Sequence, residues 1–288
     1  MPEHGWTFTA DPLRYAQTTL DFLCANPIGN TVALGVAIRL DRNPREPQPG
    51  DCYGWWTDAA GEIGAAFSTQ APFAVTLSAG MPHEAVRSLA GAWLESGHDR
   101  PSGVFGPVET AETIASDFAE RTGGSYRVKP KHAMRLFEFA EPAPPDPAPR
   151  GEHRLATLED LQVVVRWDNA FLTDCGIPLS PKTEPLVRAR IEEGRGVLWT
   201  VDGEPVATAA YLPVVAETAR ITAVFTPPEH RRHGYAAGVT WAATQAAQAD
   251  GAKHVLLHTD LSNPTSNKIY QKLGYRPVHD VTEFEFDD

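Results

Sequence analysis

Hydrophobic positions along the chain follow two different periods, and proline or glycine marks most of the places where one period gives way to the other. Val86, Leu89 and Trp93 are spaced three and four residues apart, which is the spacing of a buried helix face. Asp11 stands directly before a proline, a pattern typical of a helix N-terminus, and predicts a helix over residues 12–25. Both halves of the chain therefore contain amphipathic helices.

Strand-like segments of period two lie between these helices. GVLWTVDGEPVATAAY alternates around Asp202-Gly203, a dipeptide that favours a tight β-hairpin. YRVK and AMRLFEFA predict a pair of strands before residue 141, and YRPVHDVTEFEF predicts a final strand or hairpin. The same order of helices, antiparallel strands and strand-to-helix steps occurs twice. We therefore predict an α/β protein of the α+β type, with two mostly antiparallel mixed sheets, each flanked by helices.

The clearest domain boundary is the segment EPAPPDPAPRGE, in which closely spaced prolines prevent a helix and favour a stiff, extended connector. It divides the chain into a first domain of residues 1–140, a linker of residues 141–150 and a second domain of residues 151–288.

Composition excludes several classes of protein. The net charge of -12 argues against nucleic-acid binding, because phosphate backbones require clustered Lys and Arg. Cys24, Cys52 and Cys175 are too few and too scattered for a disulfide framework or a metal site. The N-terminus lacks the features of a secretion signal, and no apolar run approaches the ~20 residues of a membrane span. We expect a cytoplasmic monomer or homodimer without a membrane partner.

The most informative segment is TPPEHRRHGYAAG, residues 226–238, where a β-branched strand ends and an alanine-rich helix begins. Gly234 allows a ligand to approach the backbone, and the free amides of a helix N-terminus favour an anion. Arg231 and Arg232 add positive charge. An ordinary turn with solvent-facing arginines is the alternative. A Walker loop and a dinucleotide-binding loop are disfavoured because neither GK(S/T) nor GxGxxG is present.

A second block follows about thirty residues later, NPTSNKIYQKLGY, residues 263–275. Together the spacing Arg-x-x-Gly-x-Ala and this Asn–Tyr–Gly-Tyr block resemble the GNAT acetyltransferase superfamily over residues 195–280. The resemblance implies a tandem GNAT of bacterial type with acetyl-CoA as the acyl donor. The N-terminal half has Met81-Pro82-His83-Glu84 where the Arg-x-x-Gly signature would stand, so we expect it to be degenerate and the C-terminal half to be catalytic.

The resemblance also implies residue roles. Tyr270 stands where a tyrosine commonly protonates the departing thiolate. Contacts with coenzyme A are implied for the strand end, the loop and the Asn-containing turn: Val224, Phe225, Thr226, Arg231, Arg232, His233, Gly234, Tyr235, Ala236, Asn263 and Ser266.

The general base is not evident, because Ile221-Thr222-Ala223-Val224 contains no carboxylate where many family members have a glutamate. Asp174 and His258 are the candidates, with Glu283, Glu285 or a water molecule as alternatives, whereas Glu217 at the preceding turn is expected to lie too far away. A covalent intermediate on Cys175 is disfavoured because no activating residue adjoins it in sequence.

The resulting function is transfer of an acetyl group to the amine of a small molecule or an amino-acid-like acceptor. A non-catalytic acyl-CoA sensor, and O-acylation or transfer of longer acyl chains on the same fold, are the alternatives.

Overall fold

The computed structural model describes residues 4–70, 72–125, 127–177 and 179–287. In chain order the strands and helices are β1 (Gly5–Thr9), α1 (Pro12–Cys24), α2 (Thr31–Arg42), β2 (Cys52–Thr57), β3 (Ile63–Thr69), β4 (Val75–Leu77), α3 (His83–Ser96), β5 (Gly103–Pro107), α4 (Val108–Arg121), β6 (Arg127–Phe139), β7 (Glu152–Leu155), α5 (Leu161–Asp174), α6 (Thr183–Glu192), β8 (Gly196–Val201), β9 (Glu204–Tyr211), β10 (Thr218–Phe225), α7 (Tyr235–Ala249), β11 (His254–Asp260), α8 (Pro264–Lys272) and β12 (Tyr275–Asp287). The α/β prediction is confirmed.

The chain divides into two compact units. Unit 1 contains the described residues of Met1–Arg135, Asp260–Ser262 and His279–Asp288, and unit 2 contains those of Leu136–Thr259 and Asn263–Val278. These units differ from the domain borders predicted at the proline-rich segment, because β6 and β12 each contribute residues to both units.

In unit 1 the strand order is β1-β2-β3-β4-β5-β12-β6. The pairings β1–β2, β2–β3, β3–β4 and β5–β12 are antiparallel, whereas β4 and β5 are parallel. A core of aromatic and aliphatic side chains from β2, β3, α3 and α4 covers one face of this sheet.

In unit 2 the strand order is β6-β11-β10-β9-β8-β7. The larger core lies between the sheet and α7, and includes Ala219 and Ile221 of β10. A second core lies on the opposite face against α5 and α6, and includes Phe225. The central strand β10 is therefore covered on both faces, and its residues alternate between the two cores.

Local sequence explains where the helices begin. Asp11 Oδ1 accepts hydrogen bonds from the amides of Leu13 and Arg14, at 2.9 and 3.1 Å, which fixes the start of α1 as predicted. Thr157 and Asp160 form a capping box ahead of α5.

The two strands expected before residue 141 are one continuous strand, β6, although Tyr126 lies outside the described residues. The intervening KPKH contains no residue that reverses the chain, and Pro130 only removes one donor from the ladder. The final segment is likewise a single strand, β12, and not a hairpin.

Across the described ranges, none of the helices combines the length and the hydrophobicity needed to cross a bilayer.

Candidate active site

The centre of the site is a β-bulge in β10. Thr222 pairs with Ala210 of β9, but the next pair is Phe225 with Thr208, so two residues of β10 oppose one residue of β9. Ala223, inside the bulge, has a φ of 51°. A bulge leaves backbone groups without partners in the ladder and changes the direction in which they point. The bulge therefore interrupts the regular β10–β9 pairing at residues 223 and 224.

Beside the bulge, β10 separates from its parallel neighbour β11. Their register covers three pairs, from Thr218 with His254 to Arg220 with Leu256, although the strands have eight and seven residues. Beyond Arg220 the two strands are not paired in the described structure. Their C-terminal halves are therefore unpaired where the loop to α7 begins, and the gap between these halves is called the cleft below.

The loop itself presents a run of amides that have no partners. Gly234 has a φ of 80° and caps α7 without a side-chain hydrogen bond. In the part of the chain that the structure describes, the amides of Arg231 and Gly238 have backbone acceptors, whereas those of residues 232–237 have none. Arg232 also adopts a φ of 67°, which costs a non-glycine residue about 1 kcal/mol. Consecutive open amides at a helix N-terminus form an anion-binding site.

Thr226, between the strand and the loop, adds a second sign of a ligand. Its Oγ1 is buried and has no hydrogen-bond partner among the described residues. A buried hydroxyl without a partner is destabilising, and a bound ligand or water molecule would satisfy it. Together with the open amides, this hydroxyl fits a diphosphate or the polar arm that leads to it.

The basic side chains of the loop are exposed, and one of them is bound within the protein. Arg231 Nη2 lies 3.0 Å from Asp174 Oδ2, at the end of α5. Arg231 Nε donates to the carbonyl of Thr226 at 2.9 Å, and its guanidinium lies 5.9 Å from the centre of the Phe225 ring. An incoming anion would compete with Asp174 for this guanidinium.

The remaining loop residues have structural contacts as well. His233 stacks on Tyr235, with ring centres 5.4 Å apart, and Tyr235 is buried in the core under α7. Gly238 is required by packing, because a Cβ there would lie 2.9 Å from Pro149 and from the Trp199 ring. The proline-rich segment thus packs against the first turn of α7.

Tyr270 lies on α8 with its ring half-buried against the core and 6.1 Å from the Tyr275 ring. Burial raises the pKa of Tyr270 to about 12, and the nearby Cys175 adds to the rise. Cys175 directly follows Asp174, so the end of α5 approaches both the loop and Tyr270.

Asn263, expected to contact the cofactor, caps α8: its Oδ1 accepts from the amide of Ser266 at 3.1 Å. This hydrogen bond leaves its Nδ2 group able to donate to a ligand. Ser266 is part of the same cap.

The candidate bases occupy different places. His258 is half-buried on β11, in the segment beyond the last pair with β10. Asp174 is exposed and held by Arg231. Glu217 forms an ion pair with Lys253 before the first residue of β10, far from the loop. Glu283 and Glu285 belong to unit 1, where Glu283 pairs with Lys131. Of the described His, Cys, Asp and Glu side chains, no three are grouped so that they could hold a metal ion.

Sequence reasoning missed Arg220. Its guanidinium is buried beneath the same face of β10 that carries Thr222, and Nη1 has no hydrogen-bond partner among the described residues. The signal was visible, because a charged residue interrupts the apolar alternation of ARITAVF.

Comparisons with known proteins agree with this geometry. Residues 162–275 match the sequence model of the acetyltransferase (GNAT) family. A GCN5-related N-acetyltransferase from Sphaerobacter thermophilus superposes with a TM-score of 0.64 at 16% identity, over 97% of this chain and 94% of its own. One from Kribbella flavida gives 0.56 at 18% identity, over 91% and 96%. A GNAT-family acetyltransferase from Colwellia psychrerythraea gives 0.57 at 15% identity, over 83% and 87%.

No curated protein matches the sequence. At these identities the structural likeness establishes the fold, and it extends over nearly the whole chain. The sequence match identifies the family of residues 162–275 and thereby supports acyl-CoA-dependent acetyl transfer as the general activity. Residues 162–275 therefore belong to the GNAT acetyltransferase family, and the chain as a whole has the GNAT fold in both halves.

Proposed function

We propose that this protein transfers the acetyl group of acetyl-CoA to the amine of a small, amino-acid-like acceptor, and that residues 151–288 are its catalytic domain. The observation that carries the proposal is the run of unpartnered amides at residues 232–237, next to the bulge of β10 and the buried hydroxyl of Thr226.

In this proposal the loop holds the donor. The amides of residues 232–237 bind the diphosphate of coenzyme A, and Arg231 turns from Asp174 to the phosphate oxygens. The end of β10, from Val224 to Thr226, hydrogen-bonds the pantetheine arm in the cleft between β10 and β11. Asn263 and Ser266 line the neighbouring turn.

The bulge and α8 act on the reacting atoms. The nitrogen of the acceptor attacks the thioester carbonyl, and the amide of Val224 donates to the oxygen that becomes negative. The tetrahedral intermediate then expels the thiolate, and the nitrogen releases its surplus proton to solvent as the neutral amide forms. Thiols ionise with a pKa of about 8.5, below the value of Tyr270, so complete proton transfer from the phenol is uphill. Tyr270 therefore stabilises the thiolate by donating a hydrogen bond, and solvent supplies the proton.

The acceptor must lose a proton before its nitrogen can attack. We assign this step to His258, because the carboxylate of Asp174 is engaged by Arg231 and the other carboxylates lie elsewhere. Imidazole is suited to this task because it exchanges protons near neutral pH.

The test is a coenzyme A release assay with acetyl-CoA and a panel of primary amines, followed by mass spectrometry of the product. We expect an acetylated product that resists hydroxylamine, as an amide does and an ester does not. Tyr270→Phe is expected to lower kcat about tenfold to a hundredfold. Cys175→Ser should retain activity, because transfer is direct.

Binding of acetyl-CoA without turnover of any amine would identify a sensor instead, and a hydroxylamine-sensitive product would identify O-acylation. Faster transfer from longer acyl thioesters would contradict the choice of acetyl-CoA as the donor.

A further inference from the structure

Arg220 is a largely buried cation for which the described residues provide no acidic partner. It is the third residue of β10, and its Nη1 atom is buried without a hydrogen bond in the described structure. Its neighbours across the sheet are Leu212, directly after the end of β9, and Leu256 on β11, both apolar. The residue as a whole keeps a small exposed fraction, so the guanidinium is not sealed from every side.

The burial of an ionised guanidinium without a carboxylate partner does not stabilise the folded protein. Burial of an ionised side chain is costly unless a carboxylate or several hydrogen bonds compensate for the lost hydration. Burial lowers the pKa of Arg220 to about 10, with no contribution from an acidic neighbour. The side chain nevertheless remains positively charged at neutral pH. No acidic partner for Arg220 is found among the described residues, and a bound anion would compensate its charge.

The position of Arg220 indicates which molecule brings that charge. Arg220 forms the last pair between β10 and β11, so it stands at the closed end of the cleft between the two strands. It shares its face of the sheet with Thr222 and, on β11, with His258, since residues two apart on a strand face the same way. The other face of β10 packs against α7 through Ala219 and Ile221. Arg220 thus lies on the α5 side, the side of the proposed base.

We propose that Arg220 binds the carboxylate of the acceptor, so that the substrate is a zwitterionic amino acid or a close analogue and not a simple amine or polyamine. The proposal rests on the acetyl transfer proposed above. Arginine is suited to this role because its planar fork binds both carboxylate oxygens at once. Four residues separate Arg220 from Val224, a rise of about 13 Å along the strand. The Arg220 side chain spans part of this distance. The test below therefore uses acceptors with different numbers of bonds between the amine and the carboxylate.

The test uses the full-length protein and pairs of acceptors that differ only in the carboxylate: glycine, β-alanine, 4-aminobutyrate and phenylalanine, each against its carboxamide. We expect the wild type to prefer at least one acid over its amide by tenfold or more in kcat/KM, mainly through KM. Arg220→Met should bring this ratio close to one. Arg220→Lys should retain part of the preference, because it keeps the charge but not the fork.

Two further measurements distinguish a failure of the carboxylate site from a failure of acetyl transfer and from a loss of folding stability. Binding of N-acetyl-β-alanine and of its carboxamide, measured by calorimetry, tests the carboxylate site without turnover. If no acceptor is acetylated but the acid still binds through Arg220, acetyl transfer fails and the carboxylate site stands. Melting temperatures test the fold, and Arg220→Met is expected to melt no lower than the wild type, because it removes an uncompensated buried charge.

Equal use of acid and amide by an active wild-type enzyme, with equal binding of the two N-acetyl probes, would overturn the carboxylate site alone. A lower melting temperature of Arg220→Met, with the acid-to-amide ratio unchanged, would assign Arg220 to the fold and overturn the proposal as well.

Discussion

Each unit has a loop that leads from a central strand into a helix, from β10 to α7 in unit 2 and from β4 to α3 in unit 1, and we call these loops the corners. The two corners occupy the same place in the fold but differ in the groups that they present. In unit 2 a strand of eight residues with a bulge leads into open amides and arginines. In unit 1 the corresponding strand, β4, has three residues, and its register with β3 shows no shift. The amide of Ala79, after β4, is bound by Asn30 Oδ1 at 2.7 Å. Glu84 stands in the first turn of α3, where a diphosphate would meet a negative charge.

From this difference we infer that the shared fold alone does not make a cofactor site. An anion site of this kind requires backbone amides that have no acceptor within the protein. In unit 1 the buried Asn30 accepts from one amide of the corner, that of Ala79. A buried amide without an acceptor is destabilising, and a bound ligand that accepts from it removes this penalty. We therefore interpret unit 1 as a corner that has been closed and unit 2 as one that has been kept open.

The largest effect is expected from closing the open corner. Arg231→Glu combined with Gly234→Val places a carboxylate beside the diphosphate and a β-branched residue at a φ of 80°, which only glycine adopts easily. We expect the affinity for acetyl-CoA to fall about a thousandfold, or about 4 kcal/mol, by calorimetry. The matched control is Gly80→Val, since Gly80 has a φ of 71° in the corner of unit 1.

Gly80→Val should lower the melting temperature and leave the affinity for acetyl-CoA unchanged. Equal loss of affinity in both variants would mean that the two corners do not differ in function. Undiminished binding by the folded double variant of unit 2 would remove the basis of the proposed function.

The second largest effect is expected from substitution of Tyr270 in unit 2. Its folded-state pKa of about 12 lies above the ordinary 10.0, so the folded protein holds this proton more tightly than the unfolded chain does. The associated stability is present below about pH 10 and is lost as the pH rises towards about 12. We expect the absorbance titration of tyrosinate to lose one late-ionising group in Tyr270→Phe. The hundredfold upper limit of the loss in kcat corresponds to about 2.7 kcal/mol.

A matched control is Tyr275→Phe, which removes the buried hydrogen bond between Tyr275 and Thr244. This variant should lose about 1 kcal/mol of stability with a smaller change in kcat than Tyr270→Phe. A larger loss of kcat in Tyr275→Phe would transfer the catalytic role away from Tyr270.

The third prediction uses one asparagine from each unit. Asn30→Ala leaves the amide of Ala79 without its acceptor and removes one of the donors to the carbonyl of Leu23, and should cost about 2 kcal/mol of unfolding free energy. Asn263→Ala removes the cap of α8 and should cost about 1 kcal/mol. Only Asn263→Ala is expected to slow acetyl transfer, because α8 carries Tyr270. Denaturant titration and initial rates measure the two effects, and a rate loss in Asn30→Ala alone would reverse the assignment.

The sequence was informative wherever the cause of a structure is local. Asp11 caps α1 through neighbouring amides, and Asp202-Gly203 turns a hairpin, because both depend only on residues nearby in the chain. The loop before α7 was likewise predictable, since Gly234 and the residues around it define its backbone. These features needed no knowledge of the rest of the fold.

What could not be predicted depends on residues far apart in sequence. A period of two predicts a strand but not the unit that it joins, so the division of β12 between the units was missed. The ion pair of Asp174 with Arg231 joins residues 57 positions apart. The burial of Arg220 depends on elements that cover β10 from outside the strand. Each of these depends on tertiary structure, and only Arg220 left a local sign, the charged residue within the apolar segment ARITAVF.

The smallest effect is expected from Asp174→Asn, which tests whether Asp174 is the general base or only the counter-ion of Arg231. Asp174→Asn removes the partner of Arg231, and exposed ion pairs contribute up to about 1 kcal/mol. Because the guanidinium no longer has to leave a carboxylate, we expect acetyl-CoA to bind up to about fivefold more tightly while kcat stays within about twofold. His258→Gln, in contrast, should lose activity and the acid limb of the pH profile together. A collapse of kcat in Asp174→Asn, with His258→Gln still active, would make Asp174 the base, and the guanidinium that holds it would then have to release it in every catalytic cycle.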